Sequence, residues 1–157
     1  MEEPTGDALF FDYLPKEARK RAGASLAELT GTGALPPAPL RSYVNVTTER
    51  AWSKPMARLT CEEVRLLSGG DERVWHWLAR PVAEFVRRYP AAEITFFPGD
   101  LTMQALRAFP KIAEVDAAAA RLLRDADLSW AADYYSSNRS LAREAAQLVE
   151  AAKTATI

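Results

Sequence analysis

A mainly α, bundle-like helical domain is what this sequence predicts, preceded by an irregular N-terminal arm and with room for one short extended strand or hairpin. Three observations carry that expectation. From Leu59 onward apolar residues recur at helical spacing in separate stripes. Good helix-start residues stand directly ahead of several of them. Gly and Pro punctuate the intervals, Pro81 excepted. With 157 residues, 48% of them hydrophobic, the chain suits one domain able to bury a core. Residues 1–50 read as arm, first helix and Pro-rich linker, and residues 51–157 as the helical domain.

Taken in order, Phe10, Phe11 and Tyr13 form an aromatic cluster ahead of Pro15, which suits the first position of a helix because its missing N–H costs nothing there. A moderate helix follows over 16–29, weakened at Gly23 by roughly 1 kcal/mol relative to Ala and stopped at Gly31 and Gly33. "GALPPAPL" is neither helix nor central strand, since Pro36, Pro37 and Pro39 remove donors and fix φ. "RSYVNVTTE", with Tyr43, Val44, Val46 and two threonines, predicts a short strand or extended arm. Trp52 and Pro55 fall in the loop after it.

Thr60 and Glu63 then make a capping box, the hydroxyl accepting from the backbone and the carboxylate reaching back to it. Their helix runs through Val64, Arg65 and Leu67 to a stop at Ser68-Gly69-Gly70. Asp71 caps the next, whose stripe is Val74, Trp75, Leu78, Val82, Phe85, Val86 and Tyr89. At Pro81 that helix either kinks or gives way to a second one.

"EITFFPGDL" reads as an extended apolar segment, a tight turn and a helix start. Ile94, Phe96 and Phe97 are expected to bury, Pro98 and Gly99 to reverse the chain, and Asp100 to cap a helix from Leu101 to Ala108. A carboxylate in that place would occupy backbone amides and repel a phosphate. Ile112, Val115, Ala119, Leu122 and Leu123 make a third stripe. Leu141, Ala145, Leu148, Val149 and Ala152 make a fourth, with Asn138 as its cap.

Composition excludes several classes. Twenty basic against 21 acidic residues, a net charge of −1, offers no bulk electrostatic case for nucleic acid. One cysteine and one histidine rule out an intramolecular disulfide and a Cys/His zinc site within the chain. No apolar run approaches the roughly 18 residues of a membrane span, and the acidic start differs from a secretory leader. The expectation is a soluble, cytoplasmic protein with no cofactor and no membrane partner.

Individual chemical candidates are weak. His76, between Trp75 and Trp77, has the titration range of a general base but no nucleophile or carboxylate at a telling spacing, and a place on a helix flank suits it better. Cys61 sits in a first helical turn where the dipole lowers a thiol pKa, although a small filler at a helix start has the same pattern. Glu62/Glu63 and Asp71/Glu72 meet helix dipoles, and Asp125/Asp127 fall in a turn. "GTG" and "SGG" lack the context of a phosphate loop. No catalytic, cofactor-binding or metal residue is therefore assigned. The one stretch that suits a partner is 125–138, where Trp130, Tyr134 and Tyr135 offer anchors and Asp125, Asp127 and Asp133 offer charge to a basic partner. Its alternative reading packs Trp130 and one tyrosine on the core and leaves the acids in water.

Read together, "LTCEEVRLLSGG", "LARPVAEF" and "FFPGDL" resemble one family of immunity proteins from bacterial contact-dependent growth inhibition systems. Leu59, Thr60, Glu63 and Arg65 match its first segment and Pro81 its second. Pro90, Ala92, Glu93, Phe96, Pro98, Gly99, Asp100 and Leu101 match its third. The resemblance spans Trp52 to Leu106, about a third of the chain. Ser68-Gly69-Gly70 replaces the family's usual "IGQ", and the second segment is more polar and aromatic. The resemblance implies a cytoplasmic bacterial antitoxin without catalytic activity. It would be a monomer that binds the C-terminal toxin domain of a delivered effector in a 1:1 complex, the toxin being in many cases a nuclease with a basic face. No contact with nucleic acid itself is implied, and no interface residue carries over. The competing reading is a small helical ligand-binding domain or enzyme with a pocket around Trp75, His76 and Trp77.

Overall fold

The computed structural model describes residues 2–20 and 22–157. Among these residues ten α-helices follow one another: α1 (Lys16–Arg19), α2 (Leu26–Thr30), α3 (Tyr43–Trp52), α4 (Cys61–Ser68), α5 (Trp75–Arg88), α6 (Asp100–Arg107), α7 (Phe109–Val115), α8 (Ala117–Arg124), α9 (Trp130–Tyr134) and α10 (Arg139–Thr154). Among the described residues extended pairing is limited to three isolated antiparallel bridges, Leu9 with Thr60, Ser25 with Pro55 and Glu93 with Pro98. The helical class expected from the periodicity is the one observed. No described helix is long and apolar enough to cross a membrane.

Helix α5 is the axis of the core. Val74, Trp75, Leu78, Val82, Phe85 and Val86 are buried along it, and α8, α7 and α6 pack around it. The helix passes through Pro81 without ending, although Pro81 has no N–H to offer the carbonyl of Trp77. The third stripe is divided: Asp116 ends α7 and starts α8, where its carboxylate accepts from the Ala119 amide at 3.1 Å. Asn138 caps α10 in the same manner, accepting from Leu141 at 3.1 Å.

The N-terminal segment joins the same core. Phe10, Phe11 and Leu14 are buried, and Phe10 stacks on Phe85 with centroids 4.9 Å apart. The reason for this order lies at the start of α4. Its first amides need acceptors from outside the helix. Cys61 donates to the Ala8 carbonyl at 2.8 Å and Glu62 to the Gly6 carbonyl at 2.9 Å. Thr60 and Glu63 complete the capping box, at 3.2 Å and 2.9 Å. One apolar cluster therefore extends from Phe10 to Ala152, across the expected division at residue 50.

Two N-terminal expectations are corrected. The helix expected over 16–29 is two short ones, α1 and α2, separated around Gly23, with Ser25 capping the second through the Glu28 amide. The strand expected in "RSYVNVTTE" is α3. Ser42 caps that helix by accepting from the Asn45 amide at 3.1 Å. Trp52, expected in a loop, is its fully buried last residue, donating Nε1 to Thr32 Oγ1 and the Gly33 carbonyl at 3.2 Å each. Tertiary anchoring of Ala51 and Trp52 outweighs the strand preference of the β-branched residues before them.

Candidate functional site

The loop between α5 and α6 is organised by one carboxylate. Asp100 is fully buried and accepts from the amides of Ile94 (3.1 Å), Thr95 (2.8 Å), Phe96 (2.9 Å) and Leu101 (3.0 Å). Asp100 is thus not the cap expected of it. It is the first residue of α6, the cap position belongs to Gly99, and the carboxylate turns back to gather the preceding loop. The amides that a phosphate would need are consumed internally.

Behind the loop stands Arg65 of α4, buried with 8% exposure. Its Nε lies 3.9 Å from Asp100 Oδ2, and its guanidinium lies 5.3 Å from the centroid of Phe96. Burial lowers its pKa from the usual arginine value, with Asp100 opposing the shift. Phe96, expected in the core, is instead 58% exposed, while Ile94 is buried. The turn buries Ile94 and leaves the ring of Phe96 exposed over the cation.

The C-terminal aromatic segment closes over this turn. Tyr135 is buried and donates its hydroxyl to the Pro98 carbonyl at 2.7 Å. Burial pushes its pKa up to about 12. Trp130 is half-buried against Gly99, whose φ is +75°. Of the six residues expected to meet a partner, Trp130 and Tyr135 are thereby engaged inside the chain. Asp125, Asp127, Asp133 and Tyr134 remain exposed. Asp127 is held below the usual carboxylate range by the Ser129 amide and hydroxyl, at 3.0 Å and 2.7 Å.

The two reactive candidates have little to act with. Cys61 is fully buried, and burial pushes its thiol up to about 12, so it carries no thiolate at neutral pH. His76 is exposed at the rim of a groove of about 340 Å³ that Trp77, Phe11, Pro15 and Pro81 also line. Trp75 turns away into the core. Across that groove Arg80 pairs with Asp116 at 3.0 Å, and His76 makes no hydrogen bond to a described side chain that would orient it as a base. No group of three or more His, Cys, Asp or Glu placed to hold a metal occurs among the described residues.

No family model matches the sequence, and neither a curated protein nor a solved structure does.

What remains at the surface is a set of aromatic and acidic side chains that the sequence reading placed elsewhere. Tyr43 is 67% exposed at the start of α3 and donates its hydroxyl to Glu62 Oε1 at 2.9 Å. Phe96 lies over Arg65, which stands one turn along α4 from Glu62. The available signal was the Ser42 cap: read as a helix start, it places Tyr43 in an exposed first turn instead of a strand.

Proposed function

We propose that this chain is a bacterial immunity protein that binds and neutralises the toxin domain of a contact-dependent growth inhibition effector. It acts by occupancy, as a monomer in a 1:1 complex in the cytoplasm, and performs no chemistry itself. One observation supports the reading most directly. The separated segments that resemble the immunity family meet in space: Arg65, from "LTCEEVR", lies beneath Phe96 and 3.9 Å from Asp100, both from "FFPGDL". Residues that recur together in a sequence pattern have a physical reason to do so when they form one contact set. The pattern in that case marks a scaffold, and the surface around it is free to vary with the toxin.

Co-expression tests the proposal. Cells carrying a toxin domain encoded beside this chain are expected to survive only when this chain is present, and the two proteins to co-purify. Equal death with and without this chain would remove the proposal.

A further inference from the structure

Six large apolar side chains are exposed among the described residues, and five of them, Leu9, Leu40, Tyr43, Val44 and Phe96, belong to segments gathered around the start of α4. Contacts trace the continuity. The Tyr43 hydroxyl reaches Glu62, and the Glu62 amide donates to Gly6. Gly6 lies so close to the α5–α6 loop that a Cβ there would stand 2.5 Å from the Ile94 carbonyl oxygen and 3.5 Å from Glu62 Cβ. Leu9 pairs with Thr60, and Arg65, one turn beyond Glu62, carries the ring of Phe96. Exposed apolar groups concentrated on one face mark interaction sites more often than scattered ones do.

Acids predominate around this face. Residues 2–14 contain Glu2, Glu3, Asp7 and Asp12 and no Lys or Arg. Glu62 and Glu93 border the same contacts. Of the bases nearby, Arg41 pairs with Glu49 at 2.7 Å and Lys54 with Glu63 at 2.9 Å, while Arg50 and Arg58 are exposed and make no ion pair among the described residues, so the acids outnumber the unpaired bases. The 125–138 stretch is poorer in anchors, because Trp130 and Tyr135 are spent on Gly99 and Pro98.

We propose that this face, centred on Tyr43, Glu62 and Phe96, is a docking surface for a basic protein, one presenting Lys and Arg around an apolar seat. The acids attract and orient the partner, and the two rings supply contact area that costs little side-chain entropy. The proposal rests on the immunity reading only for the partner's identity as a toxin. The preference for a basic polypeptide stands on the face itself.

Deca-arginine is the probe, titrated at low salt into the full chain labelled with nitrogen-15. Saturable shifts are expected at the amides of Asp7, Tyr43, Glu62 and Phe96. The triple variant Asp7→Asn, Glu62→Gln, Glu93→Gln is expected to bind about tenfold more weakly. Tyr43→Ser is expected to bind about fivefold more weakly with an unchanged salt slope. Neutralising Asp125, Asp127 and Asp133 together leaves affinity within about twofold. Shifts centred on 125–134, or a Glu62-face triple that binds like the wild type, would overturn the proposal. A chain that binds the probe here but rescues no toxin-expressing cell upholds the face and removes the immunity reading. A chain that rescues cells while its triple variant binds undiminished does the reverse.

Discussion

Trp130 lies directly against the α-carbon of Gly99: a Cβ there would fall 2.6 Å from Trp130 Cζ2 and 3.2 Å from the Pro90 carbonyl oxygen. The same glycine has φ +75°, a conformation that costs L-residues roughly 1–2 kcal/mol. Gly99→Ala therefore combines backbone strain with a collision. We expect a loss of about 2–4 kcal/mol in chemical denaturation. Trp130→Ala made in that background relieves the collision and leaves the strain, so a double-mutant cycle should show a clear coupling between the two positions. Strict additivity would mean that the ring does not press on this turn.

Asp100→Asn separates the roles of charge and shape at the neighbouring residue. An amide side chain keeps one acceptor and turns an NH2 group toward amides that also donate. Since the carboxylate accepts from Ile94, Thr95 and Phe96, both Asn and Ala are expected to destabilise the fold by about 2–4 kcal/mol. Amide exchange at 94–96 should accelerate first. If Asp100→Asn retains wild-type stability and protection, the loop is held by something other than this carboxylate.

Cys61 gives stability a defined alkaline dependence. Its thiol is raised from 9.0 to about 12 in the folded chain. Between those values the unfolded state ionises while the native state holds its proton, so stability declines as pH rises from about 9 towards 12 and is unaffected below. The slope attributable to one such group is at most about 1.4 kcal/mol per pH unit. Denaturation midpoints for Cys61→Ala should lose this component over pH 9–10, before Tyr135, raised from 10.0 to about 12, adds its own. Identical slopes for variant and wild type would contradict the burial of the thiol.

Helix α3 depends on one hydroxyl. Ser42→Ala removes the acceptor for the Asn45 amide and is expected to cost about 1 kcal/mol. Fraying should be confined to the first turn, leaving Trp52 buried and its fluorescence unmoved. A red shift of that emission would indicate that the cap holds the whole helix in place.

The fold divides what the sequence discloses from what it withholds. The capping box at Thr60 and Glu63, the Asn138 cap and the stripe of α5 are local signals, each complete within a few residues, and each was readable. The strand preference of Val44, Val46, Thr47 and Thr48 was readable too and pointed the wrong way. What decides α3 is Trp52 reaching Thr32 and Gly33, a contact between segments that no short window contains. Phe96 shows the same limit in the surface region, since its exposure is set by the Asp100 carboxylate and the Arg65 cation beneath it. The aromatic run at 130–135 was recognisable as unusual. Its inward half, against Gly99 and Pro98, came only with the packing of distant segments.

The pairing of Gly6 and Ala8 with the first amides of α4 has a consequence for synthesis. Residues 6–10 leave the ribosome well before the helix they complete, so Phe10 and Phe11 travel uncovered until α4 and α5 have been made. That segment thus docks only once α4 and α5 exist, fastening the fold as a latch does. A partner gripping that segment from outside would hold the latch shut, and its arrival would be felt as slower unfolding across the whole molecule.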